Sequence, residues 1–96
     1  MDLLIDDERR CCECIARTYD AGITVLGEIA IECLYIDFDL GEKKTGLDVL
    51  QWAYLHDVLP LRIQLVTMNP PGREQMGACL RECGYVSDDG VNFRKE

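Results

Sequence analysis

Residues 33–39 have the sequence CLYIDFD, in which four apolar residues are followed by acids at Asp37 and Asp39. The same pattern occurs at residues 3–7, LLIDD, near the N-terminus. A short apolar run that ends in acids is typical of a buried β-strand whose end meets solvent. The two stretches therefore predict two buried strands with carboxylates at their carboxyl ends.

Three other segments have the signals of amphipathic helices: periodic apolar residues, a capping residue at the start and a breaker at the end. Thr45 and Asp48 have the spacing of a capping box. Asn69 is followed by Pro70, the order of a helix cap and a proline in the first turn. The predicted helices begin at Tyr19, Thr45 and Pro70, and they end near Ile29, Leu59 and Gly84.

Shorter apolar runs complete the set of predicted strands. Residues 14–18 and 62–68 predict two more strands, and residues 85–86 and 91–93 predict a short β tail. Strands that alternate with helices indicate a mostly parallel sheet with helices on both faces. We therefore predict an α/β fold, a three-layer sandwich around a mostly parallel central sheet. A chain of this length holds one core, so residues 1–96 form a single domain.

The charge of the chain excludes some classes of partner. Its 96 residues include 10 Lys and Arg against 18 Asp and Glu, a net charge of −8. An acidic chain is a poor binder of duplex DNA, because attraction to phosphates needs a basic surface. No apolar run has the length of about eighteen residues that crosses a membrane, and the N-terminus lacks the basic start of a secretory signal. These features predict a cytoplasmic protein with no membrane partner.

Six cysteines are many for a chain of this length. Because disulfides do not persist in a reducing cytosol, we interpret them as buried or incidental thiols. The alternative is a zinc site, in which Cys11, Cys12 and Cys14 supply thiolates and the fourth ligand is Cys79, Cys83 or His56. Against zinc, Cys79 and Cys83 lie on the predicted apolar face of the last helix and so belong to the core.

The acids that follow the two buried strands predict a metal site. Carboxyl ends of neighbouring parallel strands meet at one edge of a sheet, where α/β proteins bind ligands. Carboxylates at such distances repel one another, and a hard cation such as Mg²⁺ relieves that cost. We therefore predict a Mg²⁺ or Mn²⁺ site formed by Asp6, Asp7 and Asp37, with Asp39 beside it. The alternative is ordinary acidic strand ends with no ion.

The start of the last helix, residues 69–73 (NPPGR), predicts a phosphate site at the same edge. Backbone amides at a helix start attract anions, and an arginine one turn in can bind phosphate with two hydrogen bonds. Asn69 and Arg73 are the candidate residues, and the alternative is a proline-stiffened loop with a solvated arginine. The chain has no P-loop, dinucleotide-binding or serine-hydrolase motif.

Five short motifs in order resemble the cyclic-phosphate processing receiver domain (cREC), a divergent branch of the receiver domains of two-component signalling. The family pattern is Leu-Asp-Asp-x-Arg, Arg-Thr, Leu-Asp-His-Asp-Leu-Gly, Thr-Gly and Asn-Pro-x-Gly-Arg. The corresponding residues in this chain are 5–9, 17–18, 36–41, 45–46 and 69–73. The resemblance implies a flavodoxin-like or receiver-like fold, truncated at its C-terminus.

The resemblance also implies roles for the matching residues. In receivers the acid pair, here Asp6 and Asp7, binds Mg²⁺, the aspartate corresponding to Asp37 accepts a phosphoryl group, and a Thr or Ser corresponding to Thr67 ends the fourth strand. Membership implies processing of cyclic-phosphate ends of RNA or nucleotides, as in RNA repair. The expected site residues are catalytic Asp37 and Asp39, metal-binding Asp6, Asp7 and Asp37, and phosphate-binding Thr67, Asn69 and Arg73.

Two departures from the family pattern leave two hypotheses. Phe38 stands where the family has a histidine, and the chain has no recognisable strand-five lysine. The first hypothesis is a metal-dependent phosphoesterase in which Asp37 or a water molecule attacks phosphorus. The second is a non-catalytic interaction module of receiver fold that docks a partner protein. The missing lysine disfavours a third, a phosphorylated signalling receiver.

Overall fold

The computed structural model describes residues 1–96 and contains every predicted helix and strand in the predicted order. The elements are β1 Asp2–Ile5, β2 Cys14–Ala16, α1 Tyr19–Glu28, β3 Cys33–Ile36, α2 Gly46–Leu55, β4 Arg62–Leu65, α3 Pro70–Glu82, β5 Tyr85–Val86 and β6 Asn92–Lys95. The strands β2 and β4 are shorter than their apolar runs. None of the three helices has the length and apolar character needed to cross a membrane.

Helix α2 ends four residues before the predicted end at Leu59. Asp57 has a φ of 57°, the left-handed conformation that a continuing helix does not adopt. The amide of Val58 then donates a hydrogen bond back to the carbonyl of Ala53, at 2.9 Å. The chain therefore leaves the helix at this turn, before Pro60 can act as the breaker.

The six strands form one sheet in the order β2-β1-β3-β4-β6-β5. The first four are parallel, β6 runs antiparallel to β4, and β5 runs antiparallel to β6. The prediction of an α/β fold with a mostly parallel, receiver-like sheet is confirmed. The antiparallel pair comes from the β tail, whose two short strands are joined by a turn.

All three helices pack on one face of this sheet, which differs from the expected layer on each face. A single cluster of 17 buried residues joins Leu3 and Leu34 of the sheet to Leu26 of α1, Leu50 of α2 and Leu80 of α3. The three connections through helices all advance in the same direction across the sheet, and right-handed crossovers then place them on the same side. The connection that turns back, from β1 to β2, is a loop without a helix.

The second face of the sheet carries no helix and is partly polar. Tyr35 and Gln64 are half-buried there. Arg62 of β4 and Arg94 of β6 are exposed and stand directly opposite each other across the antiparallel pair. Like charges directly opposite each other in a sheet disfavour the pairing.

Candidate metal and phosphate site

The ends of β1 and β3 bring the predicted carboxylates together. Ile5 and Ile36 are paired across the parallel strands, and the amide of Asp37 donates to the carbonyl of Ile5 at 3.0 Å. Asp6 and Asp37 are therefore neighbours at the carboxyl edge of the sheet. One carboxylate oxygen each from Asp6, Asp7 and Asp37 lies within 4.8 Å of the others. The predicted acid cluster is thus present in the structure.

Asp6 is the buried centre of this cluster, with 0% of its surface exposed. Its Oδ1 accepts hydrogen bonds from the amides of Glu8 and Arg9, at 2.8 and 3.1 Å. Burial opposes the charged form of Asp6, but these amides and the Arg9 side chain together keep the carboxyl pKa below its ordinary value. Asp6 is therefore ionised in the folded protein at neutral pH.

Arg9, for which the sequence predicted no role, pairs with two acids of the cluster. Its Nη1 donates to Oδ2 of Asp6 at 2.7 Å and to Oδ2 of Asp37 at 3.1 Å. The hydrogen bond to Asp6 is the main reason why the pKa of Arg9 is raised. The cluster therefore contains its own cation. The signal for it was the three-residue spacing from Asp6, which lets the loop after β1 fold back on its own acid.

Arg17 fixes the loop that carries Arg9. Its Nη1 donates to two backbone carbonyls, that of Asp6 at 3.1 Å and that of Arg9 at 2.8 Å. One guanidinium thus holds the start and the middle of the loop together. The Arg-Thr motif at residues 17–18 therefore has two structural roles, because Thr18 also caps α1 by accepting from the amide of Ala21.

The donor set of the cluster fits a hard divalent ion. Asp6, Asp7 and Asp37 offer carboxylate oxygens, the ligands that Mg²⁺ and Mn²⁺ prefer. They line a cleft of about 410 Å³, large enough for a small phosphorylated molecule. Asp7 is exposed and Asp6 is fully buried, so one ligand faces solvent and another anchors the site. The acid cluster could therefore hold a metal ion.

The opposite wall of the cleft is built by Asp39 and the start of α3. Asn69 and the exposed Met68 line it together with Asp39. The side-chain amide of Asn69 donates to Oδ2 of Asp39, at 3.4 Å. Two of the predicted site residues, Asp39 and Asn69, thus lie in the same cleft as the acid cluster.

The start of α3 offers no free amide to an anion, in contrast to the expectation from its sequence. Pro70 and Pro71 have no N–H. The amide of Gly72 donates to Oδ1 of Asn69 at 3.1 Å, and that of Arg73 donates to the carbonyl of Asn69 at 2.9 Å. Asn69 therefore acts as the helix cap, and only its side-chain amide group faces the cleft.

Thr67 and Arg73 lie behind Asn69 and do not line the cleft. Thr67 is 2% exposed, and its Oγ1 accepts from the amide of Asn69 at 3.1 Å. Nη2 of Arg73 donates to the carbonyl of Thr67 at 3.0 Å, and its buried Nε has no partner. These two residues support Asn69 from within the fold.

Phe38 also points away from the acids. An added Cβ at Gly72 would lie 2.8 Å from the Cβ of Phe38, which shows how closely the phenyl side chain packs on the first turn of α3. Phe38 is half-buried against the core and does not line the cleft. Phe38 thus contributes packing and no polar group to this end of the sheet.

The cysteines form no comparable cluster. The aspartate group is the only set of three or more Asp, Glu, His or Cys ligand atoms within 4.8 Å of one another. All six thiols are free. Cys83 is buried in the core and Cys79 packs against it, as their helical spacing predicted.

A receiver-like α/β domain with an acidic cleft at the ends of β1 and β3 is the class that this fold and site define. The family model of the cyclic-phosphate processing receiver domain matches residues 1–82. The chain belongs to this family, as its five motifs predicted. No curated protein and no solved structure matches it.

The lowered pKa of Asp6 predicts how stability depends on pH. A carboxyl whose pKa is lower in the folded than in the unfolded chain stabilises the fold above its ordinary pKa of 3.8, and this contribution is lost as pH falls through the lowered value. We expect the free energy of unfolding to decrease as the pH is lowered below 4. We expect this decrease to be smaller in Asp6→Asn than in the wild-type protein. Urea unfolding of both proteins across this pH range is the measurement, and equal slopes would contradict the assignment.

Proposed function

We propose that this domain is a metal-dependent phosphoesterase that opens cyclic phosphates at RNA ends or in nucleotides. The observation that supports it most is the position of three carboxylates within 4.8 Å, at the edge where parallel sheets bind ligands, in a member of the cyclic-phosphate processing family. Asp6, Asp7 and Asp37 would hold Mg²⁺ or Mn²⁺. When bound, such an ion offsets the negative charge that develops on the phosphoryl oxygens.

The cleft offers two carboxylates for the transfer of protons. In ring opening, water adds to phosphorus, the bond to one ribose oxygen breaks, and that oxygen takes a proton to give a phosphate monoester. We assign Asp37 to accept a proton from the attacking water, and the exposed Asp39 to pass a proton from solvent to the leaving ribose oxygen. The two acids are two residues apart on the chain, on either side of Phe38.

Asn69 is the proposed phosphate contact in the cleft, because its side-chain amide lines it and already donates to an acid. Thr67 and Arg73 act through it as positioning residues. Thr67 holds the amide of Asn69, and Arg73 holds the carbonyl of Thr67. A displacement of Arg73 is therefore transmitted to Asn69 through two hydrogen bonds.

The proposal predicts that the protein converts a 2′,3′-cyclic nucleotide to the monoester in Mg²⁺ or Mn²⁺, and that Asp37→Asn slows the conversion by about 100-fold or more. Asparagine keeps the size of the side chain but can neither accept the proton nor neutralise an ion. The phosphorus NMR signals of ring and monoester are the measurement.

Asp88→Asn is the matched control for loss of an acid, because Asp88 is exposed in the loop between β5 and β6. We expect it to retain the wild-type rate. If the wild-type protein leaves the ring intact in both ions, the phosphoesterase proposal is wrong. A covalent phosphate on Asp37 after incubation with acetyl phosphate would instead identify a phosphorylated receiver.

The alternative proposal is a non-catalytic module that docks an acidic partner protein. The observation that favours it is the face of the sheet without a helix, where Arg62 and Arg94 stand opposite each other. In a chain with net charge −8, two exposed arginines at this spacing suit a partner that supplies carboxylates. An inactive protein whose binding to such a partner weakens in Arg62→Glu would support this alternative.

A further inference from the structure

Arg9 holds the one oxygen of Asp6 that is left for an ion. Oδ1 of Asp6 already accepts two backbone amides, those of Glu8 and Arg9. The remaining oxygen, Oδ2, accepts from Nη1 of Arg9 at 2.7 Å. A divalent ion that takes Asp6 as a ligand therefore has to bind at the oxygen that Arg9 occupies.

The same nitrogen also occupies the space between two of the three proposed ligands. Nη1 of Arg9 lies 3.1 Å from Oδ2 of Asp37 while it holds Asp6. Mg²⁺ binds oxygens at about 2.0–2.1 Å, so an ion shared by these two oxygens would lie between them, where Nη1 is now. A divalent ion and the Arg9 guanidinium therefore cannot both lie between Asp6 and Asp37, and either one offsets the charge of these two carboxylates.

The side chain of Arg9 can move away from Asp6 and Asp37 while its backbone stays in place. Its side chain is 39% exposed and lines the cleft, and Nη1 is its only guanidinium nitrogen with a protein partner. Its backbone is held on both sides, because its amide donates to Asp6 and its carbonyl accepts from Arg17. Release of the side chain would therefore place a guanidinium in the cleft without moving the loop.

We propose that a divalent ion displaces the Arg9 guanidinium from Asp6 and Asp37, and that the released guanidinium then binds the phosphate of the ligand. Guanidinium is the side chain best suited to hold phosphate oxygens in pairs. Ion and phosphate then bind cooperatively, since each favours the displaced position of Arg9. This inference rests on the proposed metal site, and it adds a phosphate-binding residue that links ion binding to phosphate binding.

Binding of Mn²⁺ by electron paramagnetic resonance, with and without inorganic phosphate, tests the inference in four proteins: wild type, Arg9→Gln, Arg9→Lys and Arg10→Gln. Without phosphate, we expect Arg9→Gln to bind Mn²⁺ about tenfold more tightly than wild type, because the competing cation is gone. Phosphate should tighten Mn²⁺ binding in wild type and have no such effect in Arg9→Gln.

The other two variants separate charge from geometry. Arg10 is exposed and has no side-chain partner, so Arg10→Gln removes the same charge from the same loop and should behave as wild type. Arg9→Lys keeps a cation near the acids but cannot hold phosphate with a planar pair of donors. We expect its Mn²⁺ affinity to stay near that of wild type and its response to phosphate to be weaker, because an ammonium binds phosphate only as a point charge.

Each outcome bears on the inference. Equal Mn²⁺ affinities of Arg9→Gln and Arg10→Gln would overturn it while leaving the proposed metal site intact. No Mn²⁺ binding by any of the four proteins would overturn the metal site and the inference together. If Arg9→Gln is unfolded without ions, its refolding on addition of Mn²⁺ supports the exchange. If it does not refold, an Arg9→Lys protein that keeps the wild-type response to phosphate overturns the inference.

Discussion

Replacement of Asp6 by alanine is expected to lower the free energy of unfolding by about 3 kcal/mol. The backbone amides of Glu8 and Arg9 lose their acceptor, and Nη1 of Arg9 loses the closer of its two acceptors and keeps only Asp37. They lie at the end of β1, where the loop begins and Asp6 is fully buried. The cost comes from leaving donors unpaired in the fold, in addition to any loss of ion binding. Urea unfolding in the presence of a chelator measures it.

Asp7→Ala is the matched control, because it removes a neighbouring acid of the same cluster. Asp7 is exposed and accepts no hydrogen bond from the protein, so its loss should change stability by less than about 0.5 kcal/mol. We expect both variants to bind Mn²⁺ more weakly than wild type, and only Asp6→Ala to lose stability. Equal losses of stability would mean that Asp6 has no structural role beyond that of an exposed acid.

The acid cluster could be predicted from the sequence because two simple rules act together. The apolar runs before Asp6 and Asp37 define buried strands, and their parallel pairing sets both acids at one edge. Neither rule needs knowledge of side-chain conformation. The same holds for the cap Asn69, whose side chain accepts from the amide three residues later along the chain.

The role of Arg9 could not be predicted in this way, because it depends on the path of a loop. The guanidinium three residues after Asp6 returns to it because backbone amides donate hydrogen bonds to Asp6 and because Arg17, directly after β2, holds the loop. The carboxylates were expected to need a metal to offset their repulsion. The structure shows that the chain supplies one positive charge itself, the guanidinium of Arg9.

Two other differences from the expected structure follow from simple properties of the backbone. Pro70 and Pro71 cannot donate hydrogen bonds, so the start of α3 was never a source of free amides. The order of elements places no helix between β1 and β2, and a sheet whose other crossovers all advance in one direction has its helices on one face. Both are rules of chain geometry that apply before any side chain is placed.

Replacement of Gly46 by alanine is expected to be still more damaging, with a loss of about 3 kcal/mol or more in the free energy of unfolding. An added Cβ would overlap the carbonyl oxygen of Asp37 and lie 3.0 Å from its carbonyl carbon, with the Sδ of Met76 at 3.1 Å. Both backbone segments are fixed, since the amide of Gly46 donates to the carbonyl of Phe38 at 2.8 Å. A methyl group at this position therefore forces α2 away from the end of β3.

Gly27→Ala separates this close approach from the general effect of glycine in a helix. Gly27 lies in α1, and its added Cβ would meet only Trp52, at 3.5 Å, an ordinary contact. Alanine there should leave stability unchanged or raise it by up to about 1 kcal/mol, because it restricts the unfolded chain.

We expect Gly46→Ala also to weaken Mn²⁺ binding, since the backbone that must move is that of Asp37. Urea unfolding and Mn²⁺ titration of both variants measure these effects, and a Gly46→Ala protein as stable as Gly27→Ala would refute the packing of α2 against the acid site.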